Sequence, residues 1–246
     1  MCRPAIMTSA ERPNSDPRVE AFLDEVGELA AEDPVAALKK VEDAPAELAG
    51  NPDVRLVRAD LVFGVNGPEE AQPLLEALVK DAPRDPDARH MLACIEAELG
   101  NDDAAIAHFL EVLELDRSIE GDERMPPEIE NRIVAAAEAA LAKLPEMFRA
   151  RLSGVPILVE PRPSRELVAE GFDPRSLGLF EGPDDAERTG LDTAPAPTRI
   201  VLYTANLLAD SLDDEELAVE VETTVLHEVG HYFGLDEEDL ERVGLD

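Results

Sequence analysis

Apolar positions fall into three regimes along the chain. From residue 18 to about 118 they recur at helical spacing and are interrupted at regular intervals. A charged, Gly- and Pro-containing joint at 118–127 (SIEGDERMPP) then breaks the pattern. Beyond it, Ile129, Ile133, Ala137, Leu141 and Leu144 form one stripe, which predicts a long helix over 127–152. Three short apolar runs at 155–159, 177–180 and 200–203 predict strands, separated by loops rich in Pro, Gly and Asp. The last helix is predicted over 213–233, with Ser211 as N-cap and Asp214 three residues later. Residues 1–17 are polar and rich in Pro and Ser, so disorder is the expectation there.

The first regime repeats. Blocks starting at Arg18, Pro52 and Pro86 lie 34 residues apart. Val41, Leu75 and Phe109 share one register position, and Ala44, Leu78 and Val112 another. Ala59 and Ala93 occupy an equivalent small position, and Ala37, Gln72 and Ala105 lie near one more, with Ala71 placed one residue off that register. The third block, with Leu92, Gly100, Ala105 and Phe109, carries the pattern best. This period and pattern resemble tetratricopeptide repeats, each a pair of helices whose small residues permit close packing. A single unit cannot bury its apolar face, whereas about three stacked units can. The resemblance implies a protein partner or substrate recruited through the repeats.

Composition narrows the function classes. A formal net charge of −34 repels phosphate backbones and anionic lipid heads, so neither nucleic acid nor membrane is an expected partner. Aromatic residues make up 4% of the chain and Trp is absent, so the cores must rest on Leu, Val, Ile and Ala. The two cysteines, Cys2 and Cys94, predict no structural disulfide and suit a reducing compartment. The N-terminal sequence has no signal-peptide h-region, and the expected location is cytoplasmic.

The chemistry lies in the last helix. His227 and His231 are four residues apart, one turn along a single face, so both imidazoles can reach one cation. Glu228 is rotated by about 100° from His227 and can flank that cation without ligating it. Two His ligands with an adjacent glutamate suit a zinc ion that lowers the pKa of a bound water, the glutamate serving as general base. The third ligand must come from the acidic segment after Gly234, a residue suited to ending the helix and folding the chain back. Glu237 is the first choice and Asp236 the second; Glu238 and Asp239 are neighbours of the same chemistry. Tyr203 and Tyr232 are candidates for oxyanion stabilisation, with packing the better reading for Tyr232. His90 and His108, on repeat helices, are expected to be surface or packing residues.

Several further segments join the motif in order: Ala140-Leu141-x-x-Leu144-Pro145, Val155-Pro156-Ile157-Leu158-Val159-Glu160, Leu177-Gly178-Leu179-Phe180-Glu181-Gly182, Ile200-Val201-Leu202-Tyr203, and Thr224 through Asp236. Together they resemble the small bacterial zincin-like metallopeptidases, the minimal zincins, over about residues 128–244. The resemblance implies a compact zincin fold, one Zn2+ ion and peptidase activity; the family usually carries Asp where this chain has Glu237. The expected organisation is an α+β protein: 1–17 disordered, 18–118 tetratricopeptide-like repeats, 119–127 linker and 128–246 zincin-like domain. The expected function is zinc-dependent peptide-bond hydrolysis, with metal ligands His227, His231 and Glu237 and base Glu228. The rival is a non-catalytic interaction scaffold carrying a zinc-binding module.

Overall fold

A computed structural model describes residues 16–121, 124–182 and 199–234. The described residues are mainly helical with one small sheet, an α+β architecture. They divide into two compact units: a helical unit of 16–121 together with 165–174, and a second unit of 124–164 together with 175–182 and 199–234.

The helical unit is built from α1 (Pro17–Glu32), α2 (Pro34–Glu42), α3 (Pro52–Asn66), α4 (Pro68–Asp81), α5 (Pro86–Glu98) and α6 (Asp102–Glu120), followed much later in sequence by α9 (Arg165–Ala169). Each of the first five helices opens with proline, whose missing N–H would have no intrahelical partner there and whose φ is already helical. Before four of these prolines stands a side-chain cap, Asp16, Asp33, Asn51 or Asp85, that accepts a hydrogen bond from a first-turn amide. Before the other stands Gly67, at φ 96°. Consecutive helices pack on one another, and α9 packs on α6.

The register positions do what their period predicts. Val41, Leu75, Leu78, Phe109 and Val112 are buried, as are the small residues Ala59 and Ala93. One register assignment needs correcting. The buried residue equivalent to Ala37 and Ala105 is Ala71, and Gln72 instead turns its amide to Glu96 Oε1 at 2.9 Å. Asn101 donates to the other oxygen of Glu96 at 2.7 Å, so this buried carboxylate joins α4 to the α5–α6 turn. Cys94 is disulfide-bonded, against the expectation of no structural disulfide.

The second unit holds α7 (Pro127–Lys143), α8 (Glu146–Leu152), β1 (Ile157–Glu160), β2 (Gly178–Glu181), β3 (Arg199–Tyr203), α10 (Thr204–Ala209) and α11 (Asp214–Tyr232). The helix predicted over 127–152 is two helices. Leu144 precedes Pro145 and is driven into extended backbone at φ −63°, ψ 147°, which ends α7. The sheet order is β1-β3-β2, with β1 parallel and β2 antiparallel to the central β3. Ile157 pairs with Ile200, and Leu179 with Val201. The central strand is buried from Ile200 to Tyr203, as its continuous apolar run requires. Helices α7 and α11 pack together, and their apolar stripes meet the sheet around Ile133, Ala137, Ile200, Leu202, Val221 and Val225.

The capping of α11 also differs from expectation. Asp213, not Ser211, is the N-cap: its Oδ1 accepts from the amides of Glu215 and Glu216 at 2.8 and 3.0 Å. Glu216 Oε2 also accepts from the Leu212 amide, just before the cap, at 2.8 Å, so the helix start lies two residues downstream of the predicted one. The Ser211 hydroxyl instead donates to the Leu207 carbonyl at the end of α10.

Candidate metal centre

Helix α11 buries Leu217, Val221, Thr224, Val225, Glu228, Val229 and Tyr232. This stripe fixes the rotation of the helix and leaves His227 and His231 half-buried at its margin. Their Nε2 atoms lie 3.0 Å apart, with the rings nearly perpendicular at 81°. Two imidazole ligands at ordinary zinc distances on a tetrahedral ion would have their nitrogens about 3.3 Å apart. The pair is therefore within a few tenths of an ångström of ligating geometry, and the donor set fits zinc.

The place on the helix favours a cation as well. His231 lies in the last turn, where carbonyl groups without intrahelical partners carry partial negative charge. Gly234 follows at φ 75°, and its N–H bonds to the His231 carbonyl at 2.9 Å. This is the left-handed turn that the sequence predicts as the stop of the helix. Glu237 and Asp236, the first and second choices for the third ligand, lie outside the described residues, as do Glu238 and Asp239.

Glu228 is buried, 8% exposed. Its Oε2 accepts a hydrogen bond from the backbone N–H of Phe180 in β2 at 2.6 Å. A hydrogen bond of this kind makes a net contribution of about 0.5–1.5 kcal/mol, and leaving a buried donor or acceptor unpaired costs more. Beside it stands Gly178. A Cβ there would come within 2.8 Å of Thr224 Cγ2, 3.2 Å of Glu228 Cγ and 3.3 Å of Glu228 Oε1. Sequence reasoning assigned no role to Gly178, Thr224 or the Phe180 amide. The available signal was a glycine inside a strand, which often marks a close approach by another element.

The two tyrosines separate. Tyr232 is buried; its hydroxyl donates to the Arg151 carbonyl at 3.3 Å, and its ring meets Phe180 edge-on at 5.3 Å between centroids. That is a packing role. Tyr203 ends β3, and burial, reinforced by the negative charges of Glu160, Glu181 and Glu228, pushes its phenol well above the usual range. It stays protonated at any physiological pH and is electrostatically coupled to Glu228.

Residues 152–245 match the Zincin-like metallopeptidase family. No curated protein matches the chain. The zincin-like region contains all three strands, α11 and every residue assigned to the centre from sequence, and it supports the minimal-zincin resemblance for this part of the chain. The described residues also contain no helix long and apolar enough to cross a membrane.

A second group of ligand-type side chains lies in the helical unit. His90, Cys94 and Asp173 bring one ligand atom each within 4.8 Å of one another. His90, expected to be a surface or packing residue, is buried, and its Nε2 contacts both Asp173 oxygens at 2.8 and 3.0 Å. The sulfur is already in a disulfide, so the group is an anchoring contact between α5 and the segment after α9. His108 meets Arg89 at 3.3 Å, and burial, helped by that guanidinium, lowers its pKa.

Proposed function

We propose that this chain is a zinc-dependent metallopeptidase, with His227 and His231 as metal ligands, Glu237 as the third ligand and Glu228 as general base. The observation that carries this reading is the convergence of the two Nε2 atoms at 3.0 Å beside a buried carboxylate on the same helix. The family match over residues 152–245 supports it. Bound zinc would supply a Lewis acid, acidifying water and polarising the substrate carbonyl.

The chain's own residues do the rest. Glu228 takes the proton of the attacking water on Oε1, the oxygen not bonded to Phe180, and returns it to the leaving amine. Holding Oε2 on a backbone amide keeps the carboxylate in one orientation between these two transfers. Helix starts at Pro17, Pro52 and Pro86, about 34 residues apart, support the tetratricopeptide-like reading of the helical unit, whose role is to recruit the substrate or a partner protein.

The test is Glu228→Gln in the full chain. Metal analysis is expected to find about one zinc per chain in both forms. Cleavage of a peptide library by the variant is expected to fall by about 10²–10⁴-fold. Unaltered cleavage would remove Glu228 as base; zinc-loaded wild type that cleaves nothing would favour the scaffold alternative.

A further inference from the structure

Strand β2 contacts the candidate base at two points, and both belong to its backbone. The Phe180 N–H meets Glu228 Oε2 at 2.6 Å, and Gly178, two residues earlier, lies where any Cβ would press on Thr224 and on Glu228 itself. The backbone of Gly178 has no positive φ, so glycine is required there for space and not for conformation. A glutamate side chain has three rotatable bonds, so contacts that hold its carboxyl group select among its rotamers.

We propose that β2 is the positioning device for the Glu228 carboxylate: the Phe180 amide fixes one oxygen, and the Cβ-free notch at Gly178 sets how close the side chain sits to the strand. Gly178 and Phe180 are positioning residues acting through Glu228. The inference rests on the peptidase reading for its catalytic consequence, but the holding contact itself is present without metal or substrate. It also means that the Phe180 amide is committed to Glu228, so an extended peptide lying along β2 would lack that donor.

The experiment reads amide hydrogen exchange at Phe180 in the full chain, first without zinc. Gly178→Ala combined with Thr224→Ser is the main variant. The serine removes the methyl that the new Cβ would strike at 2.8 Å, leaving the pressure on Glu228, so the fold is spared while the notch is filled. Phe180 exchange is expected to accelerate about tenfold or more, with amides of the central strand β3 unchanged. Glu228→Ala is expected to do the same. Glu228→Gln, which keeps an oxygen acceptor, is expected to stay within about threefold of wild type. With zinc bound, the double variant is expected to keep its metal and its KM within about twofold while kcat falls about tenfold.

Unchanged Phe180 exchange in both Glu228→Ala and the double variant would overturn the proposal. So would a loss of kcat matched by loss of zinc or by faster exchange across all of β3, since that is a structural effect. If wild type proves inactive while the exchange pattern holds, the peptidase reading fails and the holding device stands.

Discussion

The buried carboxyl groups Glu96 and Glu228, one in each unit, are satisfied over different distances in sequence. In the helical unit, Glu96 is satisfied by Asn101 five residues on and by Gln72 on the preceding helix, and Arg89 donates to the Pro83 carbonyl six residues back. These partners lie within 24 residues of one another, although His90 meets Asp173 83 residues on. In the second unit, Glu228 accepts from a backbone amide 48 residues away, and Arg162 donates to the Asn206 side-chain Oδ1 44 residues away. The difference teaches that a buried carboxyl group can be satisfied by a neighbour in sequence, as Glu96 is by Asn101, or by a distant element, as Glu228 is by β2.

That contrast can be broken from either side, and the largest effect is expected at the histidines. His227→Ala or His231→Ala removes one of two converging ligands. Zinc per chain, measured by elemental analysis after dialysis, should drop from about one to near zero. Retention of zinc in both variants would place the metal elsewhere and dissolve the contrast. In the helical unit the matching injury is to packing. Leu75→Ala truncates a fully buried side chain of α4 and should cost about 2–5 kcal/mol in denaturant unfolding while leaving zinc stoichiometry unchanged. A loss of zinc in that variant would show that the centre depends on the repeat unit.

A smaller effect tests the local rule directly. Asp85 caps α5 by accepting from the amides of Asp87 and Ala88 at 3.0 and 3.1 Å. Asp85→Ala should destabilise by about 1 kcal/mol, the ordinary value of such a cap, because Pro86 still opens the helix. A much larger loss would mean that the helical unit is less modular than its period suggests.

The same distinction explains what was legible in the sequence. The helical register was readable because it is local: Val41, Leu75 and Phe109 are buried as their spacing predicts. So were the three strands, to within a residue or two, and the turn at Gly234. The break at Pro145 was missed because the apolar stripe continues across it, although a proline disfavours helical backbone at the residue before it. The cap at Asp213 was misplaced by two residues because Ser211 has the same chemistry, and only the amide geometry separates them. His90–Asp173 spans 83 residues and joins α5 to a segment between β1 and β2, a pairing no local pattern announces. The Gly178–Glu228 contact was out of reach for the same reason: a glycine in a strand signals close approach but not by what.

The smallest effect expected concerns Asp60 on α3, where burial raises the carboxyl pKa above its usual value. The sign follows from linkage. A carboxylate whose folded pKa is raised is harder to ionise in the native state, so its charge costs stability at pH above the folded value and that cost disappears as the pH falls below the unfolded value. Asp60→Asn removes the charge with little change in shape. The variant should therefore unfold at a slightly higher midpoint than wild type at pH 7, with the difference shrinking as the pH is lowered through the carboxylate range. Asp213 on α11 should behave in the opposite way. Its pKa is lowered by the amides of Glu216 and Glu215, so its stabilising contribution is present at pH 7 and is lost on acidification. Thermal unfolding of Asp60→Asn and Asp213→Asn across pH 3–7 would compare the two units through single carboxylates. The Asp60 difference should be positive and the Asp213 difference negative at pH 7, and both should converge on zero at the acidic end. Differences of the same sign would show that burial and backbone hydrogen bonding do not divide between these two sites as the geometry requires.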